Sequence, residues 1–212
     1  MKLYTYFRSS AAFRVRIALN LKGMTYDAVP IDLRPGAHRQ PHYLAINPQG
    51  LIPALEDAGA VISQSLAIIE YLEEIRPQPP LLPRAALDRA RVRSLALAIA
   101  CDIHPLNNLR VLNYLRAPLG HDQAAVDTWY RHWIAEGFRS LEEEARHASG
   151  DRHHMFGTEL TLADICLVPQ MFNARRLECN LEPFPTLREI CSHLETLPAF
   201  ARAAPNAQPD AS

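Results

Sequence analysis

The sequence predicts an α/β domain followed by an all-helical domain. Up to residue 75, short strand-like apolar runs alternate with segments of helical periodicity, whereas every periodic segment beyond residue 87 has helical spacing. A proline-dense stretch, residues 76–83, separates the two regions and is typical of a linker. We therefore expect domains at residues 1–80 and 87–212, with residues 81–86 within the linker.

The order of elements in the first domain is predicted to be β-α-β-α-β-β-α. In the first helix Phe13, Ile17 and Leu21 recur on one face, and Gly23 is a suitable stop. A turn at residues 57–59 joins the last two strands into a hairpin. The expected ranges are residues 2–6, 10–22, 26–33, 42–46, 52–56, 60–63 and 65–75.

Four helices are expected in the second domain, at residues 88–116, 122–148, 162–176 and 186–194. The first of them should bend at Pro105. Thr161 and Asp164 form a capping-box variant before an apolar run, so Asp164 is interpreted as structural rather than catalytic. The small polar tail from Pro205 onward is expected to be frayed.

Composition excludes several classes of function. The 212 residues carry a formal net charge of −1, with basic and acidic residues interspersed, which argues against nucleic-acid binding. The longest apolar run, residues 95–101, is too short to span a bilayer, and charge and tyrosine interrupt the first residues where a signal peptide would lie. A cytoplasmic protein without a membrane partner is expected.

The cysteines and histidines do not indicate a metal site. Cys101, Cys166, Cys179 and Cys191 form no CxxC pair, and all are expected to be reduced residues in helices, mostly buried. The nine histidines show no ligand spacing. No metal is therefore expected.

Two serines stand where the first helix begins. Ser9 and Ser10 follow a strand and Arg8, and the first backbone N–H groups of a helix attract negative charge. One interpretation is an ordinary serine N-cap. The other is a site for an anion such as a thiolate, carboxylate or phosphate.

Two further corners allow similar alternatives. Ile52-Pro53 is either a trans proline at a strand start or a cis turn that leaves the backbone of Ile52 able to pair with an extended peptide. Gln64-Ser65 either provides the cap of the next helix at Ser65 or holds a ligand carboxylate. Together with Ser9 and Ser10, these corners suit a short anionic peptide that bears a thiol.

Polar residues also interrupt the long apolar helix of the second domain. His104, Asn108 and Arg110 can share one helical face and line a site. Solvent exposure or hydrogen bonds across a subunit interface would explain them equally well. Arg175 and Arg176 can similarly be a solvated pair at a helix C-terminus.

Several segments give the chain a family resemblance. They are Arg8-Ser9-Ser10, Asn47-Pro48-Gln49-Gly50, Ile52-Pro53-Ala54-Leu55, Gln64-Ser65 and residues 162–170. The chain resembles the glutathione transferase family, specifically its zeta class, over nearly its whole length. The resemblance implies a thioredoxin-like N-terminal domain followed by an all-α domain, in a homodimer.

The resemblance also implies how glutathione is held. Ile52, before a cis Pro53, would pair with the cysteinyl unit, and Ser9 and Ser10 would face the sulfur. The γ-glutamyl carboxylate would bind Gln64 and Ser65, and the glycyl end would lie near His38 and Gln49. Asp102 and His104 would reach toward the γ-glutamyl end from the neighbouring subunit or line the cleft.

The implied activity is glutathione-dependent cis–trans isomerisation of maleylpyruvate in aromatic-compound catabolism, by thiolate addition, bond rotation and elimination. Arg8, Arg110 and Arg176 would clamp the carboxylates of a dicarboxylate enone substrate, with His104 and Asn108 beside them. Arg8 and Arg176, together with Ser9 and Ser10, would be the catalytic residues.

Several other activities remain open. These are isomerisation of maleylacetoacetate in tyrosine and phenylalanine degradation, general glutathione conjugation, and a non-enzymatic binding role. A thiol–disulfide role is disfavoured, because Ala11 stands where the class motif usually has cysteine.

Overall fold

The computed structural model describes residues 1–34 and 36–211 of the chain. They form two compact units, one made of Met1–Pro80 together with the residues from Thr196 onward, the other of Leu81–Glu195. The first unit begins with a β-α-β-α-β-β-α order, as the sequence predicts. Its elements are β1 (Lys2–Thr5), α1 (Ser10–Leu21), β2 (Asp27–Pro30), α2 (Pro41–Leu44), β3 (Ala54–Asp57), β4 (Ala60–Ser63) and α3 (Ser65–Ile75).

The four strands form one mixed sheet in the order β2-β1-β3-β4. β1 is parallel to β2 and antiparallel to β3, which is antiparallel to β4. Leu3 pairs with Leu55 and both are fully buried. Since side chains alternate along a strand, Tyr4 and its partner Ala54 face the opposite side. There they join a buried cluster completed by Tyr6, Phe7, Ile31, Tyr43 and Ile52.

The second unit is entirely helical. Its α-helices are α4 (Ala86–Leu97), α5 (Leu109–Arg116), α6 (Gln123–Ala148), α7 (Leu162–Arg176) and α8 (Pro185–Leu194). α7 is buried along nearly its whole length and packs against α4 and α8. Within the described residues, no helix is long and apolar enough to cross a membrane.

The predicted long helix over residues 88–116 is wrong, because the chain breaks rather than bends there. After α4 come a π-helix (Ala98–Ile103) and a 3₁₀ helix (His104–Asn107). Asn108 is extended, with φ −69° and ψ 145°, and its side chain accepts from the amide of Arg110 at 3.1 Å to begin α5. Pro105 supplies no amide donor, which favours an interruption of the helix at this point.

The C-terminal residues belong to the first unit. α9 (Pro198–Ala203) packs against α1, and Pro205 beyond it is buried. The side-chain Nε2 of Gln208 donates to the carbonyl oxygens of Arg202 and Ala204, at 2.9 and 3.0 Å. The expectation of a frayed tail is therefore wrong, and residues 196–211 pack with the first unit rather than with the helical domain to which the sequence assigned them.

The capping box at the start of α7 is confirmed. Asp164 is fully buried and accepts from the amide and the hydroxyl of Thr161, at 2.7 and 2.9 Å. Its other oxygen accepts from the amide of Met155 at 2.7 Å. One carboxylate thus satisfies three donors where the buried helix begins.

We expect Asp164→Ala to lower the free energy of unfolding by about 3 kcal/mol, because it leaves buried donors without an acceptor. Asp122→Ala is the matched control, since Asp122 caps α6 at the surface through one bond of 2.8 Å to the amide of Ala125. That control should cost about 1 kcal/mol. Urea denaturation of both variants measures the difference, and equal losses would contradict the structural role assigned to Asp164.

Candidate functional site

The sheet register places the three candidate segments, Ser9-Ser10, Ile52-Pro53 and Gln64-Ser65, at one end of the first unit. Tyr4 of β1 pairs with Ala54 of β3, which pairs with Ser63 of β4. The chain therefore leaves β1 toward Ser9, enters β3 from Ile52, and leaves β4 toward Gln64 at the same end of the sheet. Residues far apart in sequence are brought together by strand pairing alone.

Ser9 and Ser10 begin α1. Ser9 is the N-cap, and its hydroxyl oxygen accepts from the amide of Ala12 at 3.2 Å. Ser10 is the first helical residue and is buried. A serine hydroxyl that accepts a hydrogen bond keeps its own proton to donate. The capping and anion-binding interpretations are therefore compatible at Ser9.

Arg8 lies at the surface immediately before this cap. Its guanidinium donates to the hydroxyl of Tyr6 at 3.0 Å and lies 5.1 Å from the ring centre of Phe7. Such stacking restrains a side chain that would otherwise be mobile. Arg8 is thus a fixed positive charge one residue from Ser9.

A second arginine, Arg16, binds the loop that joins β1 to α1. It is fully buried and donates to the hydroxyl of Thr5 and the carbonyl of Phe7, each at 3.0 Å. Burial lowers the pKa of Arg16 to about 10, so the group is charged at neutral pH. Arg16 was not predicted to be a functional residue, although a charged residue amid the apolar positions of α1 was a signal that could have found it.

The bond between Ile52 and Pro53 is cis, as the family resemblance implies. Just before it, the carbonyl oxygen of Leu51 accepts from the hydroxyl of Tyr43 and from the side-chain Nδ2 of Asn47, both at 2.7 Å. Within residues 1–34 and 36–211, no protein group hydrogen-bonds the backbone of Ile52. Ile52 therefore offers its amide and carbonyl to an added extended peptide.

Asn47 also shapes the turn that carries Gln49. Its side-chain oxygen accepts from the amide of Gln49 at 3.2 Å. The side chain of Gln49 in turn accepts from that of Gln64 at 2.8 Å, which joins this turn to the start of α3. Gln49 and Gln64 thus lie side by side at the exposed end of the sheet.

His38 lies in a 3₁₀ helix (Ala37–Arg39) beside the same turn. Its carbonyl oxygen would lie 3.1 Å from a Cβ added to Gly50. Burial, and secondarily the charge of Arg39, lower the pKa of His38 below its ordinary value, so its ring is neutral at neutral pH. Its Nδ1 is buried and has no hydrogen-bond partner in the described part of the chain.

The start of α3 differs from the expectation that Ser65 caps it. Gln64 occupies the N-cap position with φ +70°, and its side chain makes no capping bond. Ser65 is instead the first helical residue, buried, and its hydroxyl accepts from Arg14 at 3.4 Å. The N-terminal amides of α3 therefore lack a side-chain cap, which suits them to a ligand carboxylate.

In the second unit, the predicted polar face is not formed as expected. Asp102 is exposed in the π-helix, and His104 begins the 3₁₀ helix that follows. Asn108 caps α5, and Arg110 is exposed in its first turn. His104, Asn108 and Arg110 thus belong to different elements, and the continuous helical face on which they were placed is wrong.

Arg176 is the last residue of α7 and is exposed. Tyr130 on α6 is a buried residue that interacts electrostatically with Arg176, and burial raises the pKa of its phenol to about 12. No sequence pattern singled out Tyr130 as a neighbour of Arg176.

The four cysteines are reduced, and Cys166 and Cys191 are buried. Cys101 is exposed, and half-buried Cys179 follows a turn rather than lying in a helix, which corrects the expectation for it. Burial raises the pKa of Cys179 to about 11. Among the described residues, no group of three or more potential ligands is placed to hold a metal ion.

Comparison with known proteins gives concordant matches. The family model of the glutathione S-transferase N-terminal domain matches residues 8–75. A probable maleylacetoacetate isomerase of Vibrio cholerae is 50% identical over 211 residues, covering 99% of this chain and 97% of that protein.

Two solved structures are similar over their full lengths. The holo structure of a maleylpyruvate isomerase, described as a bacterial zeta-class glutathione S-transferase, has a TM-score of 0.98 at 46% identity, covering 100% of both chains. A maleylacetoacetate isomerase of Methylobacterium extorquens AM1, solved with bound malonate and glutathione, has a TM-score of 0.96 at 41% identity, again covering 100% of both chains.

We expect Gly50→Ala to lower the free energy of unfolding by about 2–3 kcal/mol, because Gly50 has φ +57° and an added Cβ would crowd the backbone of His38. Gly59→Ala is the matched control, with φ +82° but no atom within 4 Å of the added Cβ. It should cost about 1 kcal/mol from backbone strain alone. Urea denaturation compares the two, and calorimetry with glutathione should show weaker binding only for G50A.

Proposed function

Because the chain belongs to the glutathione transferase family, we propose that it is a glutathione-dependent cis–trans isomerase that converts maleylpyruvate to fumarylpyruvate. The observation that carries this proposal is the convergence of Ser9, Ile52 and Gln64 at one end of the sheet. Their chemistry matches, in turn, a thiolate, an extended backbone and a carboxylate.

The features of the first unit fit glutathione. The uncapped start of α3, at Gln64 and Ser65, suits the γ-glutamyl carboxylate. The backbone of Ile52 suits the cysteinyl unit, since no protein group within residues 1–34 and 36–211 pairs with it. Gln49 and His38 are proposed for the glycyl end.

When bound, glutathione supplies a thiolate that adds reversibly to the substrate alkene, so that the carbon–carbon bond is single until the thiolate leaves. Ser9 and Ser10 are proposed to donate hydrogen bonds to that sulfur. The start of α1 adds favourable backbone dipoles, and both effects lower the pKa of a thiol from its ordinary value of about 8.5.

Arginines are proposed to hold the substrate carboxylates. A planar guanidinium binds a carboxylate through two hydrogen bonds, and its charge stabilises the enolate oxygen that develops during addition. Arg8, stacked on Phe7, and Arg176, at the C-terminal end of α7, are the proposed catalytic arginines. Arg110, His104 and Asn108 are the other residues proposed for substrate binding.

We further propose that the protein acts as a cytoplasmic homodimer in the catabolism of aromatic compounds. Asp102 and His104 would then reach the γ-glutamyl end of glutathione in the neighbouring subunit. The exposure of Asp102 in the π-helix supports this assignment, because an exposed carboxylate can contact a second chain.

Maleylacetoacetate is the second candidate substrate, favoured by the name of the Vibrio cholerae relative. It is longer than maleylpyruvate by one methylene group. A difference of that size changes selectivity by only about 1–3 kcal/mol, so one site can serve both compounds.

We expect the purified protein to remove the maleylpyruvate absorbance band rapidly with glutathione and not without it. The same assay with maleylacetoacetate ranks the two substrates. Binding of glutathione without turnover of either compound would contradict the isomerase proposal. Turnover of chloronitrobenzene would then point to a conjugating transferase, and inactivity there to a binding protein.

We expect Arg176→Ala to lower kcat/KM about 100-fold, or ~2.7 kcal/mol, by removing a charge that stabilises the transition state. Arg175→Ala is the matched control, because Arg175 is adjacent on α7 but pairs with Glu195 at 2.5 Å. It should leave kcat/KM within about twofold. Steady-state kinetics with both variants tests this, and equal losses would remove Arg176 from the proposed site.

A further inference from the structure

The peptide group between Tyr6 and Phe7 is held from two directions, although it lies in a loop. The amide of Phe7 donates to Asp210 at 3.0 Å. Arg16 donates to the carbonyl of Tyr6 at 3.3 Å and to that of Phe7 at 3.0 Å. A buried cation and a carboxylate therefore fix the two residues that precede Arg8 and Ser9.

This loop sets the geometry of the α1 N-terminus. The amide of Ser9 donates to the same Tyr6 carbonyl at 2.9 Å, and the carbonyl of Ser9 accepts from Phe13 at 2.8 Å. A displacement of Tyr6 and Phe7 is thus passed directly to Ser9. The position of the Ser9 hydroxyl depends on contacts made outside the helix that it caps.

Asp210 reaches this loop from the C-terminal segment, 203 residues away in sequence. That segment is itself anchored, because Arg16 donates to the carbonyl of Ala203 at 3.0 Å and Gln208 bonds back to α9. One guanidinium thus joins the loop and the C-terminal segment. Asp210 also interacts electrostatically with Arg16.

We propose that Asp210 is a positioning residue for the sulfur site, which holds the Tyr6–Phe7 loop so that Ser9 and the first amides of α1 face the glutathione sulfur. This inference rests on the proposed function, because it names how that same site is kept in place. Nothing in the sequence singled out Asp210, which lies in a tail expected to be frayed.

The role of Asp210 is geometric rather than electrostatic. Its negative charge would by itself oppose a nearby thiolate, although Arg16 offsets that charge. What favours the thiolate is the hydrogen bond from Phe7 that keeps the loop in place. Asparagine can accept the same bond without a charge, whereas alanine cannot, so the two substitutions separate the two effects.

The experiment compares Asp210→Ala and Asp210→Asn in the full chain, with Gln208→Ala as the control that loosens the same segment without touching Phe7. The pKa of bound glutathione is read from the ultraviolet absorbance of its thiolate. Affinity for S-methylglutathione, which has no thiol, reports the carboxylate and backbone contacts alone. If D210A fails to fold, Asp210→Ser replaces it, since its short side chain also withdraws the acceptor.

We expect D210A to raise the pKa of the bound thiol by about one unit, a tenfold loss of thiolate below that pKa. D210N and Q208A should stay close to wild type, and every variant should bind S-methylglutathione within about twofold of it. An unchanged thiol pKa in D210A, or a parallel loss of S-methylglutathione affinity, would overturn the inference alone. A wild-type protein without a bound thiolate would overturn the proposed function, and this inference with it.

Discussion

The first unit depends on the hydrogen bonds that the buried guanidinium of Arg16 donates. Removing a charge from water costs several kcal/mol, and only hydrogen bonds of good geometry offset that cost. Arg16 obtains four, to Thr5, Tyr6, Phe7 and Ala203. Because the acceptors lie at the end of β1, in the loop after it and at the end of α9, one side chain fixes the relation between these segments.

The proposed glutathione site uses backbone groups as well as side chains of the first unit. Its proposed recognition groups include the N-termini of α1 and α3 and the backbone of Ile52, and Tyr43 and Asn47 hold the carbonyl of the preceding Leu51. Backbone donors cannot rotate away from a ligand as side chains can, so they are already oriented before it binds.

Local sequence patterns predicted those helices and turns whose signals lie within their own residues. α3 and α7 span the ranges that periodicity predicted, α7 begins at its predicted capping box, and the hairpin of β3 and β4 turns at Ala58 and Gly59. The break at Asn108 was missed because the apolar spacing continues through it, while the interruption depends on a proline and an asparagine cap. The cis bond before Pro53 came from resemblance, since spacing alone favoured trans. Asp210 accepts from Phe7, a partner distant in sequence, and periodicity cannot reveal such a contact.

The return of the C-terminal segment to the first unit has a consequence for how the protein is made. During synthesis the glutathione-binding half is not complete when residue 80 leaves the ribosome, because α9 and Asp210 are still to come. The helical unit is therefore synthesised in full before the loop that carries Ser9 obtains its final partners. A fragment that ends after the linker lacks α9 and Asp210. A fusion partner attached directly after Ser212 would be two residues in sequence from Asp210, which accepts from the amide of Phe7.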